Sequence, residues 1–394
     1  MTAPLSPAVE LEEQSWLERL GRDESHAGLA LLAGTVAALI WANLSPGGYA
    51  QLWATHPSLR SGVWGLPSSP VGLINDGAMS LFFLVIGLEL ARAIRHGELS
   101  SPRAALLPVF AAAGGMAGGA LAYVAVTHGD VGSHGYGIPT ATDVAFSLGA
   151  LSLLGRRVPP AVRAFVLALG VADDIGSLIL LVLGYSGRLD SARLFVGLGF
   201  VVVLLGLRWR RVLHPAPYLL LLVALFETLV ASGVEPALAG VAVGLAYPVG
   251  PVPVDLEHAL RPVANLVVLP AFALANAGVA IRAGVFAGGS GDVFAAVVVA
   301  RIAGKALGLL GATLLGARLM RQRLPAARVR DLAGPAVCCG VGFTVPLLIA
   351  SRAFGEGSAL LAGARAGLLA GSLGALGVGA LLIVVTSGRH RGDR

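Results

Sequence analysis

The chain has 394 residues, 56% of them apolar and only 13% charged, with 54 glycines and a formal net charge of +6. Its mean hydropathy is +0.81. Soluble domains carry about 25% charged residues, so this composition excludes a soluble enzyme and a disordered chain. The only cysteines, Cys338 and Cys339, are neighbours and exclude a disulfide scaffold.

A spanning helix needs about 20 mostly apolar residues. Twelve segments qualify, at roughly 28–44, 73–92, 104–127, 137–155, 160–184, 192–208, 216–232, 236–250, 262–281, 293–315, 333–351 and 359–385. The connections between them are too short for a soluble domain. The expected organisation is a cytoplasmic N-terminal segment at 1–27, one transmembrane domain over 28–385 and a cytoplasmic tail at 386–394. Residues 1–27 are polar and net acidic, without the apolar stretch of a cleaved signal peptide. Leu11, Trp16, Leu17 and Leu20 weakly pattern a surface helix. The connection 45–72, rich in Ser, Pro, Gly and Trp, reads as a small hairpin or an interfacial segment.

Arginines set the topology. Twenty fall on the side of the N-terminus and five on the other: Arg60, Arg188, Arg193, Arg282 and Arg352. Arg301 and Arg365 fall inside predicted helices. This asymmetry predicts an even number of spans with both termini cytoplasmic. The isoelectric point of 9.9 then reflects membrane orientation, and no nucleic-acid partner is expected.

A charge at mid-bilayer costs at least ~2.5–3.5 kcal/mol, so buried charges face a cavity or a partner. Asp143, Asp173, Asp174 and Lys305 all sit inside predicted spans. Lys305 is the only lysine among 28 basic residues. It reads as an ion-pairing neutraliser or as an ammonium that can release its proton, and the two are compatible. Asp173 and Asp174 point about 100° apart on a helix. One can line a watery path while the other pairs with a cation on a neighbouring helix. In Gly137-Ile-Pro-Thr-Ala-Thr-Asp143, Pro139 lacks an N–H, and the run reads as a helix broken at depth. Cys338-Cys-Gly-Val-Gly-Phe-Thr-Val-Pro346 is a second break. Two interrupted segments in separate halves point to a transporter site between repeats. Asp143 would then compensate the positive ends of half-helices and Lys305 the negative ends. Asn75-Asp76 opens the second segment. Glu89 and Arg92, one turn apart, suggest a local pair. Arg301 lies on the face of Lys305, and sequence leaves open whether it pairs, snorkels or repels. Glu227 lies in another span without an assigned role.

These stretches resemble the NhaA-type Na+/H+ antiporter family. The resemblance is carried by Asn75-Asp76 through Gly87-Leu-Glu89, Ile138-Pro-Thr-Ala-Thr142-Asp143-Val-Ala-Phe146, Ala172-Asp173-Asp174-Ile-Gly176 and Ser232-Gly-Val. It continues through Leu256-Glu-His258, Leu269-Pro-Ala-Phe-Ala-Leu-Ala-Asn-Ala-Gly278, Gly304-Lys305 and Cys339-Gly-Val-Gly-Phe-Thr344. It implies an all-α polytopic membrane protein of about twelve transmembrane helices. Inverted-topology repeats and two interrupted helices crossing near mid-membrane come with it. It also implies exchange of cytoplasmic Na+ or Li+ for external H+, two protons per Na+, electrogenic and pH-regulated. The setting would be a bacterial inner membrane, with no cofactor and a homodimer through the connection between the first two spans. Asp174 would be the main Na+/Li+ ligand and Asp173 its neighbour in the proton-linked site. Thr142 and Asp143 would support the broken helix, with Thr344 in the second break and Lys305 as the buried cation. Asp76 would sit near the external funnel. Glu89, Glu257 and His258 would belong to the cytoplasmic entrance and pH response. Departures fall on that response: Glu235 stands where the family often has His, and Ala91 and Ala93 replace charged residues.

Three rivals are weaker. A prenyl-transfer enzyme needs several spaced aspartates, and Asp173-Asp174 has no third acid nearby. An intramembrane aspartyl protease needs a Gly-rich context around its second Asp, which is missing here. A Na+-coupled symporter would move both ions in one direction.

Overall fold

The computed structural model describes residues 24–54, 69–97, 100–154, 157–185, 190–250, 255–326 and 328–388. The patterned face at Leu11–Leu20 and half of the 45–72 connection, residues 55–68, lie outside them. The described residues form helices without strands. Among the described residues eight helices are long and apolar enough to cross a membrane: Pro70–His96, Ala105–Thr127, Pro160–Tyr185, Ser191–Trp209, Pro215–Ser232, Leu256–Asn276, Gly288–Leu319 and Ala359–Ser387.

We label the elements α1 (Glu24–Leu44), α2 (Pro46–Ala54), α3 (Pro70–His96), α4 (Pro102–Thr127), α5 (Val144–Leu153), α6 (Pro160–Tyr185) and α7 (Ser191–Trp209). They continue as α8 (Pro215–Ser232), α9 (Leu238–Ala246), α10 (Leu256–Asn276), α11 (Gly288–Leu319), α12 (Arg330–Cys338), α13 (Thr344–Phe354) and α14 (Ala359–Gly388). The residues after α1 do not begin as a hairpin. Pro46 starts α2, which turns 119° from α1.

Three expected segments are not continuous spans. The segment at 137–155 is preceded by a 3-10 turn, Val131–Gly137, and becomes α-helical only at Val144. Glycines at 132, 135 and 137 and the missing N–H of Pro139 disfavour an α-helical first half. The segment at 333–351 splits into α12 and α13 around residues 339–343. The segment at 236–250 yields only α9, nine residues or ~14 Å, between Pro236 and Pro248. Its last carbonyls are met from outside: Arg95 donates to Leu245 O (2.6 Å) and Tyr247 O (3.2 Å).

Three long helices contain a π-helical turn: Leu73–Ala78 in α3, Ala264–Val268 in α10 and Ala300–Gly304 in α11. Such turns insert a residue into the helix and gather at functional sites. Two of them hold charges singled out in the sequence, Asp76 and Arg301. The third follows Pro262, whose ring cannot donate to the helix ladder.

Two apolar cores meet along α3. Met79 and Phe83 join a large core built from most other helices, whereas Leu84 and Leu88 join a smaller one with Leu204, Tyr218, Phe226, Val243 and Tyr247 from α7, α8 and α9. Glycine permits the tightest crossings. A Cβ at Gly240 would stand 2.0 Å from Ser80 O on α3. On α11, a Cβ at Gly308 would stand 2.2 Å from Gly114 O of α4, which fixes the depth of Lys305 three residues earlier. Large apolar side chains such as Leu183, Phe195, Val202 and Trp209 are exposed, as lipid contact requires.

Gly308→Ala should therefore lower the thermal midpoint of the purified protein, with an overpacking cost of about 1–3 kcal/mol. Gly311→Ala, on the same helix but facing open space, should leave it unchanged.

Candidate functional site

The two breaks cross. Asp143 N donates to Val341 O (2.9 Å), Thr142 Oγ1 to Cys339 O (2.7 Å) and Ser147 Oγ to Cys338 O (3.0 Å). Each strand thus supplies partners that the other loses by leaving its helix. Within a membrane such backbone groups have no water to turn to.

Asp143 caps the opposite break. Its carboxylate accepts from Phe343 N, Thr344 N and Thr344 Oγ1, at the start of α13. This is an N-cap delivered from 200 residues away, and its charge complements the positive helix end. The carbonyl ends take cations, as expected for Lys305: its Nζ donates to Thr140 O. Arg301 performs the same service. Its guanidinium donates to Ala141 O (3.3 Å) and Gly342 O (2.8 Å). It does not snorkel, being fully buried, and among the described residues it forms no ion pair with a carboxylate.

The adjacent aspartates divide as helix geometry predicts. Asp173 is fully buried and its Oδ2 accepts from Lys305 Nζ at 2.8 Å, with both side chains at most 1% exposed. Asp174 is partly exposed and lines a cavity of about 170 Å³. Thr142, Asp143 and Thr344 line the same cavity, as do Phe82, Phe146, Glu89 and Arg261. Asp173 and Lys305 are absent from its walls, so the pair acts from behind the cavity rather than on its surface.

At the mouth the expected Glu89–Arg92 pair is replaced. Glu89 binds Arg261 of α10 at 2.7 Å, and Arg92 pairs with Glu257. Arg261 also holds Glu257 at 2.5 Å. Glu257 is fully buried, so Arg92 across the α3–α10 interface and Arg261 one turn along its own helix outweigh a local pair exposed to solvent. His258 faces out and does not line the cavity.

Asp76 lies far from this group, thirteen residues or ~20 Å along α3 from Glu89. It pairs with Arg352 at 2.5 Å, and Arg352 also binds Glu235 at 2.6 Å. These three residues line a second cavity of about 330 Å³ that shares no wall residue with the first. Burial pushes the Glu235 carboxyl above its usual range against the pull of Arg352. Beside Asp76, Asn75 and Asn276 exchange amide hydrogen bonds of 3.1 and 2.7 Å, tying α3 to α10.

Sequence reasoning left Arg301 open and treated Arg352 as a loop charge. A buried arginine four residues before the only lysine was the available signal for Arg301. Arg352 offered none, because its partners lie 117 and 276 residues away.

Removing one member of a buried ion pair strands the other, at about 3–5 kcal/mol. Lys305→Met should lower the thermal midpoint sharply, and adding Asp173→Asn should recover much of the loss. Equal midpoints for the single and double variants would contradict the pairing.

The family described as Na+/H+ antiporter 1 matches residues 18–383. A Na(+)/H(+) antiporter NhaA from Pseudomonas putida (strain GB-1) is 37% identical over 390 residues, covering 96% of this chain and 99% of its own. Its namesake from Albidiferax ferrireducens is 39% identical over 380 residues, covering 93% and 96%. That from Rhodospirillum rubrum is 39% identical over 365 residues, covering 88% and 91%. Among solved structures, the sodium proton antiporter MjNhaP1 from Methanocaldococcus jannaschii aligns over 92% of this chain and 98% of its own, at 16% identity and a TM-score of 0.48. On the sequence matches, which run over nearly its whole length, the chain belongs to the Na+/H+ antiporter 1 family.

Proposed function

We propose that the protein is a secondary active transporter, not an enzyme, exchanging cytoplasmic Na+ or Li+ for external H+ across a bacterial inner membrane. The observation that carries this reading is Asp174: a carboxylate inside an apolar helix, lining a cavity together with Thr142, Asp143 and Thr344 at the crossing. A small hard cation prefers oxygen ligands, and an ionised carboxylate with neutral oxygens suits a single positive charge. Na+ binds only the ionised carboxylate, so Na+ and a proton compete for Asp174.

Asp173 and Lys305 form the second proton-linked element. Lys305 neutralises Asp173 when charged and can surrender a proton when Asp173 takes one. Their buried contact of 2.8 Å supports treating them as one unit. With two protons exchanged per Na+, the cycle moves net charge and is driven by about 2.3 kcal/mol per charge per 100 mV. Glu89, Glu257 and His258 form the cytoplasmic entrance and pH-responsive group, and Asp76 belongs to the external funnel. The arginine asymmetry favours cytoplasmic termini and twelve crossings arranged as inverted repeats, with 28–385 as one transmembrane domain. The bilayer is the principal partner. Homodimerisation rests on the family resemblance.

In everted vesicles energised to an acid interior, adding Na+ or Li+ should collapse the pH gradient, and K+ should not. Asp174→Asn should abolish the response while the purified variant keeps its fold. A variant that exchanges normally would remove Asp174 from the site.

A further inference from the structure

Arg301 heads the fully buried side chains of the described residues by volume. It sits in the π-helical turn of α11, four residues before Lys305. A guanidinium at this depth is costly unless its N–H groups are met. Both Nη groups are met by main-chain oxygens from both breaks: Ala141 O, just before Thr142 and Asp143, and Gly342 O, just before Phe343 and Thr344; Nε alone finds no partner. The space is cut to fit. A Cβ on Gly342 would stand 2.1 Å from Arg301 Nη2, and one on Gly340 would stand 2.3 Å from Arg301 O. Lys305, by contrast, reaches only the first break, at Thr140 O, and spends a second hydrogen bond on Asp173.

The charges around Arg301 are few. Asp143 comes from the first break, Asp173 from α6 and Lys305 from its own helix; Asp174, next to Asp173, couples to these groups and to Glu89 of α3. Cys338 and Cys339 end α12, and α14 presents neutral Gly371 and Ser372. Arg301 thus faces Asp143 and Asp173 as a fixed positive charge beside the titratable Lys305. Arginine stays protonated throughout the working pH range, whereas a buried lysine does not have to.

We propose that Arg301 is a positioning residue for exchange: a permanent cation that clamps the carbonyls of both breaks, so that the crossing stays assembled when Lys305 changes its proton or its partner. This rests on the reading of Asp174 and the Asp173–Lys305 pair given above. Arg301 takes the helix-end duty that a single lysine would otherwise combine with proton exchange. It touches neither Na+ nor the transferred proton. It acts by holding Thr142, Asp143 and Thr344 around the cavity and by setting the charge that the site must balance.

The test compares Arg301→Met, Arg301→Gln and Arg301→Lys in the full chain. Exchange is read in everted vesicles at several pH values, and Na+-induced thermal stabilisation is read on purified protein. Loss of the fixed charge in the Met and Gln variants should move the pH–activity curve about one unit to higher pH, because protons then compete better with Na+. Na+-induced stabilisation should move with it. Arg301→Lys should keep the wild-type position of the curve but lose maximal rate, since one ammonium cannot replace the planar fork. The proposal is overturned if a folded Met or Gln variant keeps the wild-type curve, or if the Lys variant shifts as far as they do. If the Met variant fails to fold, Gln, which retains donors without charge, decides between charge and packing. Should the wild-type protein itself show no Na+-dependent proton movement, the exchanger reading fails, while Na+-induced stabilisation across the Arg301 series still reports on the clamp.

Discussion

Breaking a helix inside a bilayer exposes N–H and C=O groups that no water can reach, and each unmet group costs several kcal/mol. The protein does this twice, at 138–143 and 339–343, and the surrounding structure answers that debt. The breaks cross and bond to one another, Asp143 caps the N-terminal side of α13, and Lys305 and Arg301 take the carbonyl ends. The same groups that make the crossing tolerable also leave Asp174 beside a cavity rather than sealed in helix packing. Stability and ion access therefore come from one set of contacts.

Adjacency of the two aspartates is the other constraint. On a helix, neighbours diverge by about 100°, so one cavity cannot receive both. Asp173 turns to Lys305 and becomes part of the interior, and Asp174 turns to the cavity. A second carboxylate held out of the cavity but close to it can influence Asp174 electrostatically without competing for the same ion.

The all-helical fold and the two breaks were legible in the sequence because both leave local signatures: long apolar runs, and Gly, Pro and Thr where a run should continue; the crossing itself came only with the family resemblance. Asp143, Asp173, Asp174 and Lys305 were legible because charge in an apolar run is expensive. What depends on tertiary partners was not. Glu89 and Arg92 satisfy the helix-pair spacing, yet each finds a better partner on α10, and nothing local to α3 reveals Arg261 or Glu257. The shortness of α9 was hidden because apolar composition persists beyond it to Val249, although Pro236 and Pro248 flank the helix. Arg352 was counted as an outward loop charge, while its ion pairs join α3 to the turn before α9.

Arg352 lies on α13, the same helix whose first turn is grasped by Asp143. Eight residues separate Thr344 from Arg352, a span of ~12 Å within one unbroken helix. Its far end is moored to Asp76 and Glu235 beside the second cavity. A strut that short and stiff transmits displacement rather than absorbing it. Any tilt that reshapes the ion's surroundings at one end must strain or release the mooring at the other, which gives the two cavities a mechanical link through eleven residues.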